Sequence, residues 1–221
     1  MRLPSLTATA TVVAVAACAD GGTSSPGFTD RQVIADFADR VVIPTYQLLD
    51  DRARALDLAA AALRAAPDAA ALTAAQDAWV ATRVPWEQSE GFLFGPVSAQ
   101  GFDPAMDSWP VERTDLDAVL ASSDPLTAEY IHNLPETQKG FHTIEYLLFG
   151  DGRDRVVTEL DPRELTYLTG LTAELVTVTT ALETSWTTAP SYRDVFATAT
   201  DLGDRGVRVV VCGYSGTWEP P

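Results

Sequence analysis

The chain contains few of the residues that usually build disulfide, nucleotide or zinc sites. Its 221 residues include two cysteines and two histidines. Two cysteines, Cys18 and Cys212, do not make a disulfide framework. The sequence has no internal repeat and none of the short motifs of phosphate-binding loops, dinucleotide-binding turns, serine-hydrolase elbows or His-Glu-x-x-His zinc helices. The sequence therefore gives no motif evidence for a nucleotide-binding enzyme, a serine hydrolase or a zinc peptidase of the His-Glu-x-x-His type.

Positive charge is also scarce. The chain has 15 Lys and Arg against 31 Asp and Glu, and its formal net charge is -16. Phosphate backbones and anionic membrane surfaces would repel such a surface, so we expect no nucleic-acid partner. An acidic surface can collect cations, but it more often only keeps a protein soluble, and charge alone therefore does not identify a metal site.

The N-terminus has the pattern of an export signal. Arg2 precedes an apolar stretch from Leu6 to Ala17, which is too short to span a membrane. The small residues before Cys18 resemble a bacterial lipobox, which implies cleavage after residue 17, lipid attachment to Cys18 and a flexible tether over 18–27. We therefore expect an extracytoplasmic protein anchored in a membrane, in the periplasm or at the cell surface, with the outer membrane favoured. The alternative is a plain secretory signal with an incidental cysteine.

Residues 28–200 are predicted to form one helical domain, followed by an atypical, non-helical tail over 201–221. The apolar share of 46% is typical of a globular chain, and apolar residues recur at helical spacing. The fold class is therefore all-α, as an up-and-down helical bundle. The expected helices run from Thr29 to Ala66 with an interruption near Pro44, from Asp68 to Trp86, over 115–121, over 126–134, from Gly140 to Phe149, from Asp161 to Trp186, and after Pro190.

The segment from Gly95 to Thr114 shows no apolar period. It contains three prolines and two glycines, which favour turns. We expect a long irregular loop there, of a length that in compact domains is either functional or packed down by its own side chains.

The helix that begins at Gly140 carries a histidine and a carboxylate side by side. His142 and Glu145 lie about 60° apart on a helix, and most of their neighbours are apolar. A buried polar pair needs a partner, because an unpaired group costs about 1 to 3 kcal/mol. A cation would serve, and so would a hydrogen-bond network to an Arg or a Tyr. The spacing alone favours the network, because two ligands do not fill a metal shell.

A second unusual helix face precedes it. Trp79, Arg83, Trp86 and Glu90 fall on one face, and Glu87 lies one turn after Arg83. The simplest interpretation is a tryptophan-rich core stripe with an Arg83–Glu87 pair within the helix. Glu90 is the exception, because the apolar residues after it predict partial burial.

Four blocks of this sequence, taken together and in order across residues 28–200, resemble the imelysin family. The blocks are Trp79-x-x-x-Arg83-x-Pro-Trp86-Glu87-x-Ser-Glu90, Phe94-Gly95-Pro96, Asp107-Ser108-Trp109-Pro110 and Lys139-Gly140-Phe141-His142-x-x-Glu145-Tyr146-Leu147-Leu148-Phe149-Gly150.

The resemblance implies a fold of two helical bundles with a Gly-x-His-x-x-Glu site near their junction, in an exported protein. It also implies metal ligation by His142 and Glu145, with Glu90 as the candidate third ligand and with Arg83 and Glu87 bordering the site. Imidazole and carboxylate suit iron, zinc or manganese alike. The preference for a divalent or ferric iron ion, with zinc second, therefore comes from the family.

Three functions follow from these expectations. The first, which we favour, is a metal-binding lipoprotein of iron uptake or homeostasis that works with partner proteins. The second is a metallopeptidase, in which Glu90 or Glu145 would act as base on a peptide substrate, although zinc peptidases usually need three protein ligands. The third is an inactive fragment. A full family member continues through a second helical bundle, whereas this sequence has a valine-rich tail from Gly206 to Pro221 at that point.

Overall fold

The computed structural model describes residues 29–152 and 155–198. This part of the chain contains helices and no β-strand, so the prediction of an all-α bundle is confirmed. Its α-helices are α1 (Asp30–Phe37), α2 (Ile43–Ala65), α3 (Ala69–Ser89), α4 (Pro96–Ala99), α5 (Phe102–Asp107), α6 (Arg113–Ala121), α7 (Ala128–His132), α8 (Gly140–Phe149), α9 (Pro162–Thr187) and α10 (Tyr192–Thr198). The predicted signal peptide, tether and tail lie outside the described residues.

The long helices α2, α3 and α9 form the body of the bundle. Helix α2 packs along both α3 and α9, and α8 packs against α3, α5 and α9. Along α2, Leu49, Ala53, Leu56, Ala60 and Leu63 are fully buried. Their spacing of three and four residues forms a continuous seam, in which the alanines let neighbouring helices approach closely.

The predicted interruption near Pro44 is a π-helical segment, Ala38–Val42, between α1 and α2. Proline has no backbone N–H and its ring crowds the carbonyl four residues earlier, here that of Arg40. A wider π turn gives room for that crowding while the chain remains helical.

The segment from Gly95 to Thr114 corrects the prediction of an irregular loop. It contains α4 and α5, and the residues that lie outside helices before α6 begins are 95, 100–101 and 108–112. Each of these two helices is shorter than two turns, so no apolar period develops in the sequence. Val97 and Met106 are fully buried and tie the segment to the core.

Candidate functional site

Helix α8 begins in direct contact with α5. Gly140 has φ +76°, and a Cβ atom added there would lie 2.3 Å from the carbonyl oxygen of Met106. Only glycine permits both this backbone conformation and this approach. The close contact brings the first turn of α8 beside Asp107, the last residue of α5.

Side chains from other segments hold the backbone of α8 in place. Trp79 Nε1 donates to the carbonyl of Phe141 at 3.1 Å, and Gln76 Nε2 donates to that of Leu148 at 3.0 Å. Arg155 Nη1 donates to the carbonyl of Leu147 at 2.6 Å. The helix that carries the candidate ligands is therefore fixed at both ends.

One stripe of α8 is only half buried. It consists of His142, Glu145, Tyr146 and Phe149, whereas the rest of the helix is buried. The side chains of His142 and Glu145 are 21% and 41% exposed. The expectation of a largely buried helix is therefore confirmed for its other faces, but the histidine and carboxylate lie where a ligand can reach them.

His142 lies between two carboxylates. Its Nδ1 is 3.1 Å from Oε2 of Glu145, which confirms the predicted side-by-side pair, and its Nε2 is 3.1 Å from Oδ1 of Asp107. A neutral imidazole carries one N–H and can donate to only one of them. The other nitrogen then directs its lone pair toward a carboxylate oxygen, an arrangement that a proton or a metal ion would make favourable.

Asp107 joins three side chains of the site, and sequence reasoning did not assign it a role. Its Oδ2 accepts a hydrogen bond of 2.7 Å from Trp86 Nε1, while Oδ1 accepts from Arg83 and faces His142. The Asp-Ser-Trp-Pro block in which Asp107 stands was the available signal. Because that block was expected to be irregular, nothing indicated that its carboxylate reaches α3 and α8.

Arg83, which was predicted with Glu87 to border the site, connects Glu87 to Asp107. The guanidinium of Arg83 contacts both Glu87 and Asp107, and it lies 4.8 Å from the centre of the Phe141 ring. Arg83 is therefore a cation beside the carboxylates of Glu87 and Asp107, and it orients Asp107 toward His142.

Glu90 is not brought to the His142–Glu145 pair. The helix ends at Ser89 and Glu90 begins a short 3₁₀ turn as an exposed residue, so little of the predicted partial burial is found. What burial remains, together with Asp103 and other nearby carboxylates, raises the pKa of Glu90. Glu90 thus belongs to an acidic neighbourhood beside the site and does not line the same cavity.

A cavity of about 410 Å³ opens beside the half-buried stripe of α8. His142 and Glu145 form part of its wall, together with Trp109, Arg113, Tyr146 and Phe149. The Trp109 ring lies edge-on to the imidazole, with 4.9 Å between ring centres. The site is thus open to a ligand larger than an ion.

The donors fit a metal ion only in part. Within residues 29–152 and 155–198, no group of three or more His, Cys, Asp or Glu side chains has the arrangement of a metal site. Asp107 and Glu145 face different nitrogens of one ring, so the three do not converge on one point. Nδ1 of His142 and Oε2 of Glu145 are 3.1 Å apart, a separation at which both can lie about 2.1 Å from one ion.

Known proteins resemble this chain across most of its length. The sequence model of the family described as Imelysin matches residues 42–213. Iron-regulated protein A of Synechococcus elongatus is 37% identical over 172 residues, which are 76% of this chain and 45% of that protein.

Two crystal structures share the fold. A protein described as an iron-regulated protein A precursor from Parabacteroides distasonis superposes with a TM-score of 0.70 at 30% identity, over 85% of this chain and 55% of that one. An imelysin-like protein from Psychrobacter arcticum superposes with a TM-score of 0.64 at 19% identity, over 82% and 54%. The chain spans about half the length of these relatives. On the family match and this shared fold, the chain belongs to the imelysin family.

Proposed function

We propose that this protein binds a metal ion, iron before zinc, through Nδ1 of His142 and the carboxylate of Glu145. The observation that carries this proposal is the position of His142 between two carboxylate oxygens, each 3.1 Å from a ring nitrogen. The ion is the cargo of the site.

Asp107 is the carboxylate that accepts the N–H of the imidazole in this proposal. It is less exposed than Glu145, and Arg83 and Trp86 hold it in place. With the proton on Nε2, the lone pair of Nδ1 points toward Glu145. A carboxylate behind a ligating histidine is a common support of metal sites, since it fixes the tautomer and the ring orientation.

The preference for iron rests on the relatives. One nitrogen and one carboxylate donor suit iron, zinc and manganese to a similar degree. Two of the matching proteins carry the name iron-regulated protein A. We extend that relation to this chain as part of the proposal, with a role in iron uptake or homeostasis alongside partner proteins.

Export and membrane anchoring belong to the same proposal. The support is the lipobox-like sequence before Cys18 and the polar, glycine-containing tether that follows it. A lipid on Cys18 would hold the metal-binding domain outside the cytoplasm and close to a membrane.

Metal content and isothermal titration with Fe²⁺, Fe³⁺ and Zn²⁺ test the proposal. The double variant His142→Leu with Glu145→Gln is expected to lose binding while its melting temperature stays nearly unchanged, because Asp107 keeps Arg83 and Trp86 as partners. His132→Gln is the matched control, because it removes the other histidine, which lies at the end of α7 and contacts Glu174.

Two results would contradict the proposal. One is background metal content with no heat from any divalent or ferric ion, which would favour an inactive fragment. The other is a fall of many degrees in the melting temperature of the double variant without any metal in the unmutated protein, which would assign the pair to a structural network.

A metallopeptidase is the second candidate, and the cavity beside Glu145 is the observation that favours it. A peptide could enter this cavity, where the half-exposed carboxylate is available as a base. Digestion of an unfolded protein substrate, measured with and without a chelator, decides between the two. Cleavage that requires metal and is lost in Glu145→Gln would favour the peptidase, whereas metal binding without cleavage favours the binding protein.

A further inference from the structure

The cavity beside His142 is larger and more aromatic than a bare ion requires. Its volume of about 410 Å³ falls in the range of small-molecule sites. Trp109, Tyr146 and Phe149 contribute aromatic rings to its wall, and Trp109 is 71% exposed. A large ring so open to solvent, within a cavity that also holds the candidate ligands, indicates an organic ligand with a flat face.

The metal shell also needs donors from outside this set of side chains. Among the described residues, no group of three or more His, Cys, Asp or Glu side chains could hold a metal ion, and the pair His142 and Glu145 in the cavity wall supplies two donors. Metal ions of the iron and zinc type take at least four ligands. A ligand in the cavity would therefore have to supply the remaining positions.

We propose that an aromatic oxygen chelator of the catechol class occupies the cavity and completes the coordination of the ion. This inference rests on the proposed function and names its cargo as a metal chelate in place of a bare ion. The ring of the chelator lies against Trp109, and its two adjacent oxygens reach the ion held by His142 and Glu145.

Charge explains why the chelator and the ion bind together. Without an ion the cavity wall carries two carboxylates, Glu145 and Asp151, against one guanidinium, Arg113, so it has no net positive charge to attract the oxygens of a chelator. Arg113 contacts Asp151, donates to the Tyr146 hydroxyl at 2.6 Å and lies 3.8 Å from the centre of the Tyr146 ring. This ordered guanidinium supplies a positive edge, but the larger attraction for an anionic chelator comes from the ion itself.

Isothermal titration of the full chain compares three probes: ferric catechol, ferric citrate and metal-free catechol. Citrate supplies oxygen donors without an aromatic ring, so it isolates the contribution of the ring. We expect ferric catechol to bind at least about tenfold more tightly than ferric citrate, and metal-free catechol to bind weakly.

Variants of Trp109 test whether the preference for ferric catechol over ferric citrate arises in the cavity. Trp109→Ala is expected to remove it, and Trp109→Phe, which keeps a flat ring, is expected to retain most of it. Leu58→Ala is the matched control, because Leu58 is 73% exposed and does not line the cavity. Melting temperatures near that of the unmutated protein exclude misfolding, and ferric citrate binding in Trp109→Ala shows that His142 still works.

The outcomes separate the two proposals. Binding of ferric citrate with no preference for catechol, or a preference that survives Trp109→Ala, overturns the chelate inference and leaves metal binding intact. No binding of any metal probe overturns the proposed function and the chelate inference with it. A preference lost in Trp109→Ala and kept in Trp109→Phe supports both.

Discussion

The carboxylate of Asp107 and the imidazole of His142 lie 3.1 Å apart although they belong to different helices. Asp107 ends α5, and His142 stands in the first turn of α8. The contact is possible because Gly140 lets these helices meet without a side chain between them. Asp107 is in turn held by Arg83 and Trp86, so α3 takes part in orienting the imidazole.

The first prediction tests Asp107 as the residue that organises the site. Asp107→Asn is expected to lower the free energy of unfolding by about 2 kcal/mol, because Arg83 and Trp86 lose a charged acceptor. Metal binding should weaken as well, since His142 loses its orientation. Chemical denaturation and metal titration measure the two effects.

Asp103→Asn is the control on the same helix. Burial, and secondarily Asp107, raise the pKa of Asp103, so the removal of its charge is expected to leave stability unchanged or higher. An equal loss of stability in both variants would show that Asp107 has no special role.

The second prediction concerns the contact between α5 and α8. Gly140→Ala is expected to cost at least roughly 2 kcal/mol, because it combines a positive φ with overlap against the Met106 backbone. Gly91→Ala is the control, since its Cβ would meet no atom within 4 Å. Thermal denaturation of both variants should show a large fall for Gly140 only; a small fall would mean that the helices can separate freely.

A third prediction compares two buried tyrosines. Both are fully buried, but among the described residues the Tyr46 hydroxyl has no hydrogen-bond partner, whereas that of Tyr167 donates to the carbonyl of Gln138. Tyr46→Phe is therefore expected to stabilise the protein by about 1 kcal/mol, and Tyr167→Phe to destabilise it by about 1 kcal/mol. Urea denaturation curves measure both, and effects of the same sign would contradict this prediction.

The fourth prediction is a pH dependence of stability that arises at Glu174. Burial in α9 raises the pKa of this carboxyl above its ordinary value of 4.5, although His132 and Lys139 act in the opposite direction. The folded protein therefore binds this proton more readily than the unfolded chain does. The contribution of Glu174 to stability accordingly increases as the pH falls through its folded pKa toward about 4.5, and it is lost as the pH rises.

Glu174→Gln should remove this part of the pH dependence and raise the free energy of unfolding at neutral pH. Exposed Glu129, on α7, gives the matched control Glu129→Gln, which should keep the pH profile of the unmutated protein. Denaturation curves across acidic and neutral pH measure the change, and a profile that is identical in Glu174→Gln would show that the buried carboxyl is not its source.

The fifth prediction tests the membrane anchor. Cys18→Ser is expected to abolish lipid attachment and to move the protein from the membrane fraction to the soluble fraction, because a serine hydroxyl does not replace the thiol. Mass spectrometry of the N-terminus and fractionation of cells measure this. Unchanged processing together with continued membrane association would show that Cys18 is not the anchor.

Local features made the helices predictable. Asp161 caps α9 in a capping box with Glu164, and Asp68 caps α3 through the backbone N–H of Ala71. These caps depend only on residues close in sequence. The same is true of Pro44 and the π-helical segment before α2. The pairing of His142 with Glu145 is local as well, because residues three apart face each other on any helix.

The sequence by itself determined the helices other than α4 and α5, the His142–Glu145 pair and the resemblance to a family. Only the tertiary structure decided that Asp107 completes the arrangement around the imidazole, that Glu90 lies outside the cavity, and that Trp109 stands exposed beside His142. The physical reason is range. Helical periodicity and caps depend on neighbours within about one turn, whereas the approach of α5 to α8 depends on packing between distant segments, through a glycine whose spatial neighbours the sequence does not show.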